Sequence, residues 1–248
     1  MSASYRLLVA MVLSVIALAA PAPPAHAQGV GVELELVLAV DISASVDDQE
    51  YRLQMTGIAQ AFRDPEVIDA IESFGPSGIA VTMIHWSETA TRVTAWSHIT
   101  SSDASFRYAA RIDAIARAKL GVTTAIGTAL AFARNEIATN GFAGRRRSID
   151  VSGDGKNNSG MPLWVQRSGV ILADITINGL AILDQDPFLK RYYQNHVIGG
   201  NGAFVMTAVD FRDFARAFRA KLLREIRPLI SQHDPREPDA RLARNRHR

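Results

Sequence analysis

Two hydrophobic periods alternate along this chain, and that alternation limits the fold more than any other feature. Glu33 to Val40 alternates and then turns wholly apolar, as a strand entering a sheet does. Asp47 to Phe62 then places Tyr51, Met55, Ile58, Ala59 and Phe62 at helical spacing, with Asp47 or Asp48 as N-cap and Glu50 in the first turn. Ile79 to Trp86 is a second strand after the turn signal Gly75-Pro76-Ser77-Gly78. Arg92 to Trp96 reads as a short antiparallel edge strand. Ser105 to Lys119 and Ala125 to Thr139 read as helices closed by Gly121 and by Asn140-Gly141. Arg147 to Ser152 is a strand, Met161 to Asp174 contains a helix, and Ile175 to Leu183 is a strand again. Asp186 to His196 reads as helical, Ala203 to Val209 as the last strand, and Phe211 to Ile230 as a long helix with Asp210 as its cap and Asp213 three residues on. Such alternation specifies an α/β fold, doubly wound, with a mostly parallel central sheet flanked by helices. Right-handed crossovers leave few ways to wind it.

In an open sheet of this kind, function collects beyond the carboxyl ends of the strands, where the strand order reverses. The first strand is followed by Asp41-Ile42-Ser43-Ala44-Ser45. The helix from Ala125 is preceded by Gly121-Val122-Thr123-Thr124, and the Arg147–Ser152 strand runs into Gly153-Asp154-Gly155. Two carboxylates and several hydroxyls thus converge from separate loops. Hard oxygen donors of this kind suit Mg²⁺, with Mn²⁺ or Ca²⁺ as alternatives. The chain has no Cys and its six His are scattered, which excludes thiolate chemistry and argues against a soft-metal site.

Asp41-x-Ser43-x-Ser45, then a Thr, then an Asp before Gly, resembles the von Willebrand factor type A fold and its metal-ion-dependent adhesion site. Thr124 to Leu130 is similar to that family's Thr-x-[Ile/Leu]-Gly-x-Ala-Leu stretch, and Ser152 to Asn158 resembles an uncharacterised secreted bacterial subgroup, DUF1194-like. The resemblance covers residues 30–230. It implies that Asp41, Ser43, Ser45, Thr124 and Asp154 hold a divalent ion, directly or through water. It also implies a protein-binding module rather than an enzyme, in which a partner's Asp or Glu completes the coordination. Gly153 departs from the family, which more often has Ser or Thr before this Asp.

Plainer readings stand beside this one. Asp41 and Ser45 could cap the strand–helix junction, and Asp154 could belong to an ordinary Asp-Gly turn. Asp150, inside an otherwise apolar strand, needs a structural partner or stands behind the site. Asn157 and Asn158 either close their loop or line the rim. Arg145-Arg146-Arg147 is a solvated turn or a docking patch on the opposite edge. Trp86, Trp96, Trp164 and Tyr192-Tyr193 read as packing, with an exposed role open for Trp164. A metal-dependent hydrolase and an accessory domain with a degenerate site are the alternative functions. The hydrolase lacks a visible base, since His85 lies within a strand and His98 has no supporting motif. No G-x-S-x-G elbow, G-x-G-x-x-G or Walker pattern occurs.

Residues 1–27 read as a signal peptide, with an uncleaved anchor as the alternative. Arg6 precedes Leu7 to Ala20, an apolar run broken only by Ser14, and Ala25-His26-Ala27 fits a cleavage site. The run spans about 21 Å as a helix, short of a roughly 30 Å hydrocarbon core. The expected location is therefore the periplasm or the exterior, with no membrane span after cleavage. Residues 231–248 lack apolar periodicity and read as a disordered basic tail. The pI of about 9.1 owes much to the arginines of that tail, and the middle of the chain is near neutral. That speaks against nucleic acid as a partner.

Overall fold

The computed structural model describes residues 29–227. The leader at 1–27, the tail at 231–248 and the last residues expected of the final helix lie outside them. The central sheet has seven strands: β1 (Val30–Asp41), β2 (Ile79–Trp86), β3 (Ala90–Arg92), β4 (Ser97–Ile99), β5 (Phe142–Gly153), β6 (Thr176–Ile182) and β7 (Val205–Ala208). Their order is β3-β2-β1-β5-β6-β7, and β4 also pairs with β2. Four strand pairs are parallel, and the short β3 and β4 run antiparallel to β2. From β1 the chain winds first to β2 on one side, then to β5, β6 and β7 on the other. The reversal therefore falls between β1 and β5, whose ends carry Asp41 and Asp154.

Both faces of β1 are buried, which explains why its sequence stops alternating. Leu34, Leu36, Leu38 and Val40 pack with α1 (Asp48–Ala61), α2 (Pro65–Glu72), α3 (Ser102–Asp113) and α7 (Phe214–Ile226). Val37 and Ala39 face the other way, toward α4 (Ile126–Ala138), α5 (Leu163–Leu172) and α6 (Leu189–Tyr192), which runs on as a π-helical turn to Val197. The fold class is the expected one. At α1 the Asp47 side chain accepts from the Gln49 and Glu50 amides while Glu50 reaches back, a reciprocal cap.

Four local expectations are corrected. Residues Pro65–Glu72 form a helix not anticipated, although Asp64 caps it and Pro65 opens it. The single edge strand expected at Arg92–Trp96 is two short strands around a bulge. Val93 and Thr94 both donate to Met83 O, two residues against one. The third helix ends at Asp113 rather than Lys119, because Arg117 is drawn onto the loop after β1. The last helix starts at Phe214, three residues late, because Asp210 Oδ1 accepts from the Asp213 amide in a preceding turn.

Asp150 has a structural partner. Its carboxylate pairs with the Lys221 ammonium of α7, at 4% and 1% side-chain exposure. Asn178 of β6 donates to Glu225 Oε2 at 2.5 Å and accepts from the Phe204 amide at 2.9 Å. Burial raises the Asp150 pKa and the Lys221 charge opposes this. The network ties β5, β6 and α7 together under the sheet. Arg146 donates to the Glu225 and Ile226 carbonyls at the end of α7, as a helix C-terminus favours, and Arg145 and Arg147 lie near Glu33 and Asp174.

His85 is sealed in the core edge-on to Tyr51, with neither ring nitrogen partnered among the described residues. Burial, then the charge of Arg117, pushes its pKa down to about 4.

Two outcomes follow from these buried charges. Lys221→Met strands the Asp150 carboxylate and should cost about 3–5 kcal/mol in urea melts, with Asp150→Asn added on top recovering part. A cost under about 1 kcal/mol would show that the pair does not hold the fold. His85 binds a proton more readily unfolded than folded, so its contribution to stability is present above pH about 6.5 and is lost as pH falls toward 4. The loss is of order 3 kcal/mol. His85→Leu should remove that part of the pH dependence; parallel wild-type and variant curves would contradict the assignment.

Candidate metal centre

Strand ends bring the five expected residues together. Asp41 closes β1, and its Oδ1 accepts from the Ser43 amide at 2.8 Å, folding the first loop into a tight turn. Ser43 Oγ lies 3.2 Å from Ser45 Oγ, and Ser45 Oγ donates to Asp154 Oδ1 at 2.8 Å. Asp154 follows β5. A Cβ placed on its neighbour Gly155 would meet Thr124 Oγ1 at 3.4 Å, so the second loop abuts the third. Asp41, Ser43, Thr124 and Asp154 are buried, while Ser45 is exposed at the mouth.

The loops are held from behind by Arg117 and Gln54, to which the sequence assigned no such role, and by Asn157 and Asn158. Arg117 Nη2 donates to the carbonyls of Ile42, Ser43 and Val46 at 3.0, 3.2 and 2.6 Å, and Nη1 pairs with Asp48. Gln54 donates to the Asp41 carbonyl at 3.1 Å. The Ala44 amide reaches Val122 O, joining the first and second loops. Asn158 accepts from the Thr124 amide through its side chain and donates its own amide to Thr124 O, both at 2.9 Å. Asn157 Oδ1 accepts from the Gly127 amide in the first turn of α4. Both asparagines therefore close the loop rather than line the rim. Arg117 was legible only as one more charge on an amphipathic stretch.

The electrostatics are those of two anions in a dry place. Burial first, then the charge of Asp154, raises the Asp41 carboxyl to about 7, against the hydrogen bonds from Ser43. Burial also raises Asp154, and the Ser45 hydroxyl opposes it. Asp41 Oδ2 and Asp154 Oδ2 are buried without a hydrogen-bond partner, as is the Tyr193 hydroxyl. Buried polar atoms are seldom left so. Among the described residues no three His, Cys, Asp or Glu side chains come together, so any ion here would rely on two carboxylates and neutral hydroxyls. That all-oxygen set fits a hard divalent cation.

The other named residues separate clearly. His98 Nε2 bonds Ser77 O at 2.8 Å at the start of β2, far along the strand from these loops. Trp86 is core and Trp96 half-buried, whereas Trp164, in the first turn of α5 after the third loop, is 74% exposed. Met161 just before it is exposed as well. Tyr192 accepts from the Asn157 amide at 3.2 Å, and Tyr193 points inward.

Solved structures share this architecture at low identity. Proximal thread matrix protein 1 from the mussel byssus is 16% identical, with a TM-score of 0.57 over 80% of this chain and 47% of that one. Another structure of it, 15% identical with a TM-score of 0.56 over 81% and 49%, has a zinc-occupied MIDAS motif. The vWF domain of the type V pili tip protein Mfa5 from Porphyromonas gingivalis is 12% identical, with a TM-score of 0.54 over 80% of this chain and 96% of that one. The chain spans about half the length of the mussel protein. These likenesses establish a von Willebrand factor A-type fold. A comparison with curated proteins by sequence finds no match. The family model described as protein of unknown function (DUF1194) matches residues 31–230, and the chain belongs to that family.

Proposed function

We propose that this protein is a metal-dependent protein-binding module of the periplasm or cell exterior. The observation that carries this reading is the pair of buried carboxylate oxygens, on Asp41 and Asp154, that have no hydrogen-bond partner among the described residues. In this reading Asp41, Ser43, Ser45, Thr124 and Asp154 hold Mg²⁺, with Mn²⁺ or Ca²⁺ able to replace it. A dication held by two carboxylates and neutral hydroxyls keeps residual positive charge, which attracts an Asp or Glu side chain of a partner protein. Ser45 at the mouth leaves an approach, and exposed Trp164, in the first turn of α5 after the third loop, offers an apolar contact.

The pilus-tip and byssal-thread proteins that share the fold are consistent with an adhesive role. Residues 1–27 supply the export signal in this reading. No helix among the described residues is long and apolar enough to cross a membrane.

Thermal melts with Mg²⁺ test the ion, and a glutamate-presenting peptide surface with and without chelator tests the partner chemistry. Free ion at 100 times Kd should stabilise the wild type by about 2.7 kcal/mol. Asp154→Ala removes one of two close buried anions, so the ion-free protein should be as stable or slightly more so, with the Mg²⁺ increment and the peptide binding gone. Arg145→Ser, on the opposite edge, should keep the increment. A full increment in D154A would put the ion elsewhere. An unfolded ion-free D154A would make the third loop a structural turn.

A further inference from the structure

Tyr193 reaches the same place from a third direction. It lies where α6 widens into its π-helical turn, it is fully buried, and its hydroxyl has no partner among the described residues. A buried tyrosine hydroxyl ordinarily finds one, and leaving it without costs about 1–3 kcal/mol. If only the ring were needed, phenylalanine would fill the volume without that penalty.

Two glycines make the slot. A Cβ on Gly153 would lie 2.7 Å from Asp41 Oδ2 and 2.9 Å from Tyr193 Oη, so both unpartnered oxygens crowd the same bare backbone position. A Cβ on Gly179 would lie 2.7 Å from Tyr193 Cδ1. Gly153 pairs with Ala181 and Gly179 with Val151, which puts the two glycines on one face of adjacent strands, two residues apart in register. The hydroxyl end of Tyr193 fits against Gly153 and its ring against Gly179. Gly153 is also the position where the sequence departs from the adhesion-site pattern by lacking a hydroxyl side chain.

We propose that Tyr193 is a positioning residue of the ion site: its hydroxyl, unbonded in the ion-free arrangement, donates to Asp41 Oδ2 when an ion is bound, in place of the hydroxyl that position 153 lacks. This rests on the reading of the three loops as an ion site. The oxygen comes from a residue about forty positions downstream, and the two glycines exist to admit it. With Oδ1 held by the Ser43 amide and Oδ2 braced by the hydroxyl, the carboxylate is fixed in place and its remaining lone pairs are left to a cation.

The test uses the full chain, with Mg²⁺ and Mn²⁺ affinities from calorimetry and melting temperatures without ion. Tyr193→Phe deletes one oxygen and keeps the ring. Its ion-free form should melt at or above the wild-type temperature, while its Mg²⁺ affinity falls about tenfold, the lower end for losing a residue that orients a ligand. Gly153→Ser should lower the ion-free melting temperature by crowding Tyr193 and Asp41, and adding Tyr193→Phe should restore part of it. A Tyr193→Phe protein that binds Mg²⁺ as tightly as the wild type overturns the proposal. So does one that melts lower with unchanged affinity, which marks a packing role. A wild type that binds neither ion, with the Gly153→Ser rescue intact, refutes the ion site itself while leaving the slot geometry standing.

Discussion

Two buried carboxylates at the ends of adjacent parallel strands are the constraint around which this molecule is arranged. β1 and β5 are the strands at which the winding reverses, and the crevice there is where an open sheet leaves room between its helical layers. Placing Asp41 and Asp154 in that crevice removes both from water and brings like charges close. Their raised pKa values express that cost. A fold keeps such a pair when something else makes use of it. The rest of the site reads as the means of keeping it in place.

Those means are mostly backbone bonds made by side chains set back from the crevice. Arg117 gathers three carbonyls of the first loop, while the Ser45 hydroxyl reaches Asp154 and the Ser43 hydroxyl meets that of Ser45. Asn157 and Asn158 lash the third loop to the second and to the start of α4. On the face toward α7, the Asp150–Lys221 pair ties the carboxyl half of β5 to that helix, three residues before Gly153.

The sequence made the layers legible because burial on two faces writes continuous apolar runs, as in Leu34 to Val40, and burial on one side writes helical stripes, as in Tyr51 to Phe62. It also carried the metal-site candidates, since Asp and Ser in fixed order after a strand leave a local pattern. What escaped was set by distant contacts. The α2 helix is short, and its Asp64-Pro65 start reads equally as a turn. The bulge at Val93 and Thr94 depends on Met83 across the edge. Arg117 left the expected helix for carbonyls some seventy residues upstream. Tyr193 read as packing, and only Gly153 and Gly179 in register beside it reveal its hydroxyl end.

Whether the two unpartnered carboxylate oxygens turn toward an ion decides what this site does. Crystals grown with Mn²⁺ and measured for anomalous scattering test this most directly. The expected result is one peak enclosed by Asp41, Ser43, Ser45, Thr124 and Asp154, with Asp41 Oδ2 or Asp154 Oδ2 no longer without a partner. A peak elsewhere, or no peak with Mn²⁺ in excess and the Ser45–Asp154 hydrogen bond unchanged, would contradict it.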